Sequence, residues 1–391
     1  MEDHSRIFRI VAGTTAILAA VAVSSAVTAA ICLKSTAVSE AKSLIQQKFY
    51  SVESESPTSA DLDAAAIAGM AAALDDPYAA YYTEEEYAAY LESVSGEYRG
   101  IGVEITLAES GYPVIVKVYA GSNAEKAGCQ KGDEITVVNG TETGGLTTSE
   151  VVALFSDEGE NVFTVLRDGI FITLRAEKGP AVIPYAEYEM LEDDLALLTI
   201  SGFSGNVDSE CRSILLALTE AGVSSLIIDL RDNPGGSLDK LISVTDYFVD
   251  SGLEITTIQG TDGTPVTYAC QETTIYQGNI VLLVNGDTAS AAELFTGCLS
   301  CHGLAKTVGT KTYGKGIVQT TYDLSGTAGY LKFTTAAYYL PDGTCIQGTG
   351  ITPDCVVELE EEYQSYPVEL LPRDADTQLA KAIDIIKEEK A

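Results

Sequence analysis

The chain contains two histidines, His4 and His302, so a serine hydrolase built on it has few candidates for a base. Ser290 stands where the apolar run Ile280–Val284 gives way, across Asn285-Gly-Asp-Thr-Ala, to a helical pattern that the serine itself begins. A serine at a helix N-terminus gains from the helix dipole when its oxygen becomes anionic. The Ala291 N–H beside it has no intrahelical partner. This is a nucleophile elbow in general form. The same residues equally suit a plain N-cap, with Glu293 three positions on as its capping-box partner. His302 lies about three turns along this helix, roughly 18 Å away at 1.5 Å per residue, too far to serve Ser290. It reads as a helix C-terminal residue that complements the dipole, before Gly303.

A second loop bears on the serine. Ile227-Ile-Asp-Leu-Arg-Asp-Asn-Pro-Gly-Gly236 is a buried-strand pattern running into paired glycines. Gly235 and Gly236 let the backbone come close to a ligand and aim N–H groups at it, as half of an oxyanion hole would require. An ordinary Asn-Pro-Gly turn is the plainer alternative. The base must come from elsewhere. Lys315 stands between Gly314 and Gly316 in Gly309-Thr-Lys-Thr-Tyr-Gly-Lys-Gly-Ile-Val-Gln319, with Lys311 as a nearby competitor. A lysine serves as base when burial lowers its pKa from about 10.4 towards 7–8, at a cost of about 4 kcal/mol. Gln319 can orient the amine without adding the negative charge that would raise its pKa. A solvated lysine in a glycine loop is the bland alternative.

The elements that must position these residues follow from pattern. Residues 35–95 read as a small helical region: Ser35–Tyr50, Leu62–Leu74, and a helix from Thr83, its N-cap, to about Ser93. From Gly96 to 178 the pattern changes to short strands and glycine turns. Gly100–Leu107 and Tyr112–Tyr119 read as strands, and 121–140 as a turn, a short helix, a turn and a strand. Thr148–Phe155 reads as a helix, and Asn161–Arg167 with Ile170–Ala176 as a hairpin across Asp168-Gly169. Beyond Gly179-Pro180, strands at Leu195–Ile200, Ser225–Leu230 and Ile280–Val284 alternate with helices at Val207–Ala221, Leu238–Val249 and Ser290–His302. That implies an α/β core with a mostly parallel or mixed sheet, residues 179–360. Residues 361–391 form a tail, with a surface helix of mixed charge over Asp374–Lys390.

Composition excludes some functions. With 57 acidic and 23 basic residues, net −34, the surface repels nucleic acid. Ile10–Leu33 is 24 residues without a charge, preceded by Arg6 and Arg9. The expectation is an uncleaved membrane anchor (residues 1–34) with the N-terminus cytoplasmic and the remainder exported to the extracytoplasmic side. A cleaved signal peptide is the rival. Ile31, where a small residue would be wanted, counts against a lipoprotein site at Cys32. Of the eight cysteines, Cys298 and Cys301 beside His302 lack the second pair that zinc needs, and Cys345 and Cys355 are the candidates for one disulfide.

Taken in order, Asp75-Asp-Pro-Tyr, Arg99-Gly-Ile-Gly-Val, the 121–140 string, Asp229-Leu-Arg-Asp-Asn-Pro-Gly-Gly, Thr288-Ala-Ser-Ala-Ala-Glu and Tyr313-Gly-Lys-Gly-Ile-Val-Gln resemble the C-terminal processing peptidases, or tail-specific proteases. The likeness covers nearly everything from Asp75 to about Asp354. It implies a multidomain α+β protein with a PDZ domain at 96–178 and a crotonase/Clp-like α/β serine protease core. The family's Ser-Lys dyad falls on Ser290 and Lys315, and its lysine-orienting glutamine on Gln319. Its oxyanion hole falls on Gly235 or Gly236 and on Ala291. Its carboxylate-binding loop falls on Arg99, Gly100, Ile101, Gly102 and Val103, with strand addition along Val103–Leu107. The resemblance implies a serine endopeptidase that needs no metal or cofactor and acts on proteins or peptides with exposed C-termini. A regulatory protein partner and a homodimer are further expectations, and PDZ docking is expected to gate the site. The rival classes are a PDZ scaffold with an inactive core, and a crotonase-like acyl-transforming enzyme.

Overall fold

The structure is a computed structural model and describes residues 37–50, 56–95, 97–108, 110–261, 263–324, 329–364 and 366–390. Two compact units divide them. The smaller takes the chain up to Glu84 together with Thr321–Phe333. It holds the helices Ala37–Lys48 and Ser59–Ala72. The second helix is capped by Thr58, whose hydroxyl accepts from the Asp61 N–H. Strand Ala80–Thr83 pairs antiparallel with Gly329–Lys332, some 250 positions away in sequence. Such a pairing has no local signature, and the N-terminal helical region expected at 35–95 is therefore no self-contained segment. The next helix, Glu84–Ser95, starts just after Thr83 as the sequence implies. Among the described residues no helix is long and apolar enough to cross a membrane. Ile10–Leu33, the expected anchor, lies outside the described residues.

The larger unit contains two six-stranded sheets with separate cores. In the first, strand Val103–Leu107 is the edge, followed in space by Pro113–Val118, Glu134–Val138, Glu160–Arg167 and Ile170–Glu177. Ile115, Ile135, Phe163 and Val165 are fully buried beneath it. The hairpin turn takes Asp168 and Gly169 at φ +49° and +78°, the left-handed pair a two-residue hairpin demands. The chain enters and leaves through a ribbon of Glu97–Gly100 against Gly179–Val182.

The second sheet runs, in spatial order, Ala186–Glu192, Leu195–Ile200, Ser225–Asp229, Asn279–Val284, Ala305–Gly309 and Cys355–Val356. The first pairing is antiparallel and the rest are parallel. Period-two alternation sorts its apolar residues onto two faces. Leu198, Ile200, Leu226, Ile228 and Leu282 pack with the helices Val207–Glu220, Leu238–Thr245 and Ala291–Cys301. Leu195, Leu197, Ile227, Val281 and Leu283 pack with the C-terminal helix Thr377–Lys390. That helix is no surface element: Leu379, Ala382 and Ile386 are buried. Its charges conceal an apolar stripe at helical spacing, which covers the second face of the sheet.

The strands Glu254–Gly260 and Pro265–Ala269 form a hairpin, and residues 257–260 pair with 336–339. These strands were not among the expected elements, although Asp262-Gly263 between two β-rich runs is a hairpin signal of the kind read at Asp168-Gly169. Cys345 and Cys355, expected as a disulfide, are free thiols. Cys298 lies fully buried on the Ala291–Cys301 helix, with its Sγ 3.7 Å from the Glu254 carbonyl.

Candidate active site

Ser290 sits between strand Asn279–Val284 and helix Ala291–Cys301, with φ +56° and ψ −118°. This backbone region costs a non-glycine residue on the order of 1–3 kcal/mol and persists only where surrounding bonds impose it. Those bonds are visible. Its N–H donates to Glu293 Oε2 at 2.9 Å. The helix starts from its carbonyl, which accepts from the Glu293 and Leu294 N–H groups at 2.9 and 3.0 Å. The capping relation read from the sequence is thus present, with the Ser290 N–H on the Glu293 carboxylate. The serine is both the N-cap and a strained elbow.

The loop before it is sewn to the Asn-Pro-Gly-Gly loop. The Asp232 N–H donates to Asn285 Oδ1 at 3.0 Å, Asn285 Nδ2 donates to Asp232 Oδ1 at 2.6 Å, and the Ala289 N–H donates to the Asn233 carbonyl at 2.9 Å. The Thr288 hydroxyl, fully buried, donates to the Leu230 carbonyl. Gly235, at φ +101°, lies against the serine: a Cβ there would stand 2.8 Å from the Ser290 Cβ and 2.9 Å from the Ala291 nitrogen. Glycine is required at this contact.

Of the two glycines, the structure separates the roles. The Gly235 N–H is taken by Asn233 Oδ1 at 2.8 Å. The Gly236 and Ala291 N–H groups meet no acceptor among the described residues. They are the two donors available to an oxyanion.

Lys315 is half-buried, and its backbone is fixed on both sides. The Gly314 N–H donates to Glu293 Oε1 and the Lys315 N–H to Glu293 Oε2, both at 2.8 Å, while the Gly316 N–H donates to Gln347 Oε1 at 2.8 Å. A Cβ on Gly314 would stand 2.8 Å from the Gly350 nitrogen, and one on Gly316 2.6 Å from the Gln347 nitrogen, so the glycines flanking the lysine are steric necessities. Glu293 itself has no exposed surface. Its carboxylate also accepts from the Thr312 hydroxyl at 2.6 Å. One buried carboxylate therefore joins the Ser290 N–H to the Gly314 and Lys315 N–H groups. In the sequence Glu293 reads only as a capping partner, because its other three bonds come from Thr312, Gly314 and Lys315, far downstream. Gln319, on strand Ile317–Asp323, donates through Nε2 to Thr334 Oγ1 at 3.2 Å. His302 is the C-cap of the serine's helix, and its Nε2 meets the Glu254 carbonyl at 2.7 Å, away from these loops.

In the first sheet's domain, Ile101 and Gly102 are buried, and their carbonyls accept from the Ala124 and Tyr119 N–H groups at 2.8 and 3.0 Å. Gly102 has φ +94°, and a Cβ there would fall 2.2 Å from the Ser122 Cβ. Arg99 is exposed on the ribbon, where Gly100 faces Gly179. An open cleft of about 770 Å³ runs along the edge strand Val103–Leu107 and the helix Thr148–Leu154. Val103, Ile105 and Val152 line it, as do Asp232 and Pro234, directly before Gly235.

Sequence comparison agrees with this division. Residues 194–357 match the family model of peptidase family S41, and residues 114–168 match a PDZ domain. A CtpA-like serine protease of Staphylococcus saprophyticus is 32% identical over 332 residues, which cover 83% of this chain and 67% of the relative. The chain belongs to the CtpA-like serine proteases of peptidase family S41. A CtpA-like relative from Staphylococcus haemolyticus is 34% identical over 317 residues, covering 80% of this chain but 63% of the relative. The chain therefore spans about two thirds of the length of these CtpA-like relatives. Among solved structures, the photosystem II D1 C-terminal processing protease is 26% identical with a TM-score of 0.52, covering 78% of this chain and 84% of that one. An S41 protease of Bacteroides fragilis shares the fold at 18% identity, with a TM-score of 0.62 and coverage of 89% and 97%.

Proposed function

We propose that this CtpA-like chain is a membrane-anchored serine endopeptidase that binds protein C-termini through its PDZ domain and hydrolyses peptide bonds with Ser290 and Lys315. The observation that carries the reading is the strained Ser290 elbow, tied through Glu293 to the backbone of Lys315 and flanked by the Gly236 and Ala291 N–H groups. In this reading neutral Lys315 takes the Ser290 proton as Oγ attacks the scissile carbonyl. The oxyanion forms against Gly236 and Ala291. The protonated lysine then gives its proton to the leaving amine. Water, deprotonated by the same lysine, opens the acyl-enzyme and releases a new C-terminal carboxylate, and Ser290 regains its proton. Gln319 orients the lysine, and no metal or cofactor enters the cycle.

The substrate tail is proposed to lie along Val103–Leu107 with its carboxylate on the backbone of Arg99–Val103. The continuity of the cleft from Val103 to Pro234 supports this path. Export and anchoring rest on the uncharged stretch 10–33 behind Arg6 and Arg9.

The test is cleavage of a folded protein bearing an apolar C-terminal tail, by the full chain beside Ser290→Ala and Lys315→Ala. Wild type should cut near the tail and both variants should fall to background. Undiminished cleavage by either variant would sink the dyad. A wild type that binds the tail and cuts nothing, even with a regulatory partner added, would favour a scaffold.

A further inference from the structure

Arg231 begins the stretch that ends at Gly236, and its side chain is almost wholly removed from water, with 2% exposure. All five of its guanidinium N–H groups are used. Nε and Nη2 donate to Asp229 Oδ1 and Oδ2 at 2.9 and 2.6 Å. Nη1 and Nη2 donate to Asp376 Oδ1 and Oδ2 at 3.0 and 2.9 Å, and Nη1 donates to Gln378 Oε1 at 3.1 Å. A bidentate grip from each of two carboxylates fixes a planar guanidinium in both position and orientation. Burial works against this charge, but the two aspartates outweigh it and hold the arginine more firmly protonated than usual.

Asp376 and Gln378 lie beyond residue 357, where the S41 match ends. Asp376 also caps the last helix, since its Oδ1 accepts the Leu379 N–H at 2.9 Å. That helix is packed on the far face of the core sheet through Leu379, Ala382 and Ile386. The same C-terminal segment meets the loop a second time, where the Val368 N–H donates to Asp232 Oδ2 at 3.2 Å. Asp232 is itself held at φ +61°. The loop that presents Gly236 is therefore gripped from behind by the C-terminal segment at two successive residues, Arg231 and Asp232.

We infer that Asp376 is a positioning residue for catalysis: by holding Arg231 it sets the Asp232–Gly236 backbone where the oxyanion needs it. The inference deepens the protease reading and rests on it. In this role Asp376 acts through Arg231 and not on the substrate. It acts by preorganisation, so its loss should appear in the transition state and not in tail binding.

Asp376→Asn separates the two jobs of this residue. Asparagine caps a helix about as well as aspartate, but it cannot give Arg231 a bidentate carboxylate. In the full chain, with the tailed substrate, kcat should fall about 10- to 100-fold, a fraction of the effect of deleting an oxyanion donor, while KM stays within about twofold. Affinity for a peptide boronate, whose adduct places an oxygen in the oxyanion position, should fall by a comparable factor. Affinity for the product tail should be unchanged. Wild-type kcat in Asp376→Asn would overturn the inference. So would a raised KM at unchanged kcat, which would make Asp376 part of substrate docking. If Asp376→Asn fails to bind the tail and shows no cooperative melt, Gln378→Met decides by the same criteria, since it removes one Arg231 contact at similar volume. A wild type that cleaves nothing refutes the protease reading itself. A cleaving wild type beside an equally fast Asp376→Asn refutes the inference alone.

Discussion

Glu293→Gln removes one charge and changes almost nothing in shape, which makes it a sharp probe of the site's construction. The carboxylate accepts four hydrogen bonds, from Ser290 N–H, Lys315 N–H, Gly314 N–H and the Thr312 hydroxyl. An amide has two placements here. With Nε2 where Oε2 stood, the Ser290 and Lys315 N–H groups each face a donor. With Nε2 where Oε1 stood, the Gly314 N–H does, and the Thr312 hydroxyl must turn. The milder placement loses one bond to a charged acceptor, strands one buried donor and weakens the remaining bonds. Bonds to charged groups contribute about 1.5–3 kcal/mol and a stranded buried donor costs about 1–3 kcal/mol, so the sum is about 3–6 kcal/mol. That is a large part of the stability of an ordinary domain. Thermal unfolding should move down by several degrees. Activity should drop by about 100-fold or more, since the Ser290 elbow and the Lys315 backbone lose their common tie and small displacements of reacting groups cost that much. The assay is calorimetry beside tail cleavage at matched fraction folded. An unfolding midpoint within about one degree of wild type, with normal kcat, would refute the claim that this carboxylate holds the two loops together.

Gly235→Ala places a Cβ 2.8 Å from the Ser290 Cβ at φ +101°; acylation by an active-site-directed fluorophosphonate should be lost while tail binding, followed by fluorescence anisotropy, persists. Gly102→Ala drives a Cβ to 2.2 Å from the Ser122 Cβ; steady-state kinetics should show a raised KM for tailed substrates and little change in kcat on a tailless peptide. Glu369 has its pKa raised by burial and by the charges of Asp232 and Glu104. The folded state therefore holds this proton more tightly than the unfolded chain. Stability is complete below the unfolded value near 4.5 and is lost as pH rises through the raised folded value. Glu369→Gln should accordingly raise the melting temperature at pH 7 and have little effect at pH 4, and equal melting curves for the two proteins at pH 7 would count against this environment.

Most of the local architecture was legible in the sequence because it is set by local rules. The hairpin at Asp168-Gly169, the 121–140 turn, helix and strand, and the Val207–Glu220 and Ala291–Cys301 helices follow from turn chemistry and periodicity. The partnership of Ser290 with the Asn-Pro-Gly-Gly loop was readable from residue types. Strand Ala80–Thr83 was missed because its partner lies about 250 positions away; Glu254–Gly260 was missed although its hairpin partner Pro265–Ala269 follows directly.

By itself, then, the sequence determined which residue types stand at Ser290, Lys315 and the paired glycines, and set His302 about three turns along the helix that Ser290 begins. It left three choices to the tertiary structure. Packing made Gly236 rather than Gly235 the available donor, because the Asn233 side chain folds back on the nearer N–H. Burial turned Glu293 from a helix cap into the tie between two loops. The far face of the sheet drew the C-terminal helix inward, which brought Asp376 to Arg231. The last two depend on hydrogen bonds between residues distant in sequence, which exist only once the sheet has set the distances; the first is a bond across two residues, with Asn233 held in place by its amide donating to the Ile200 carbonyl.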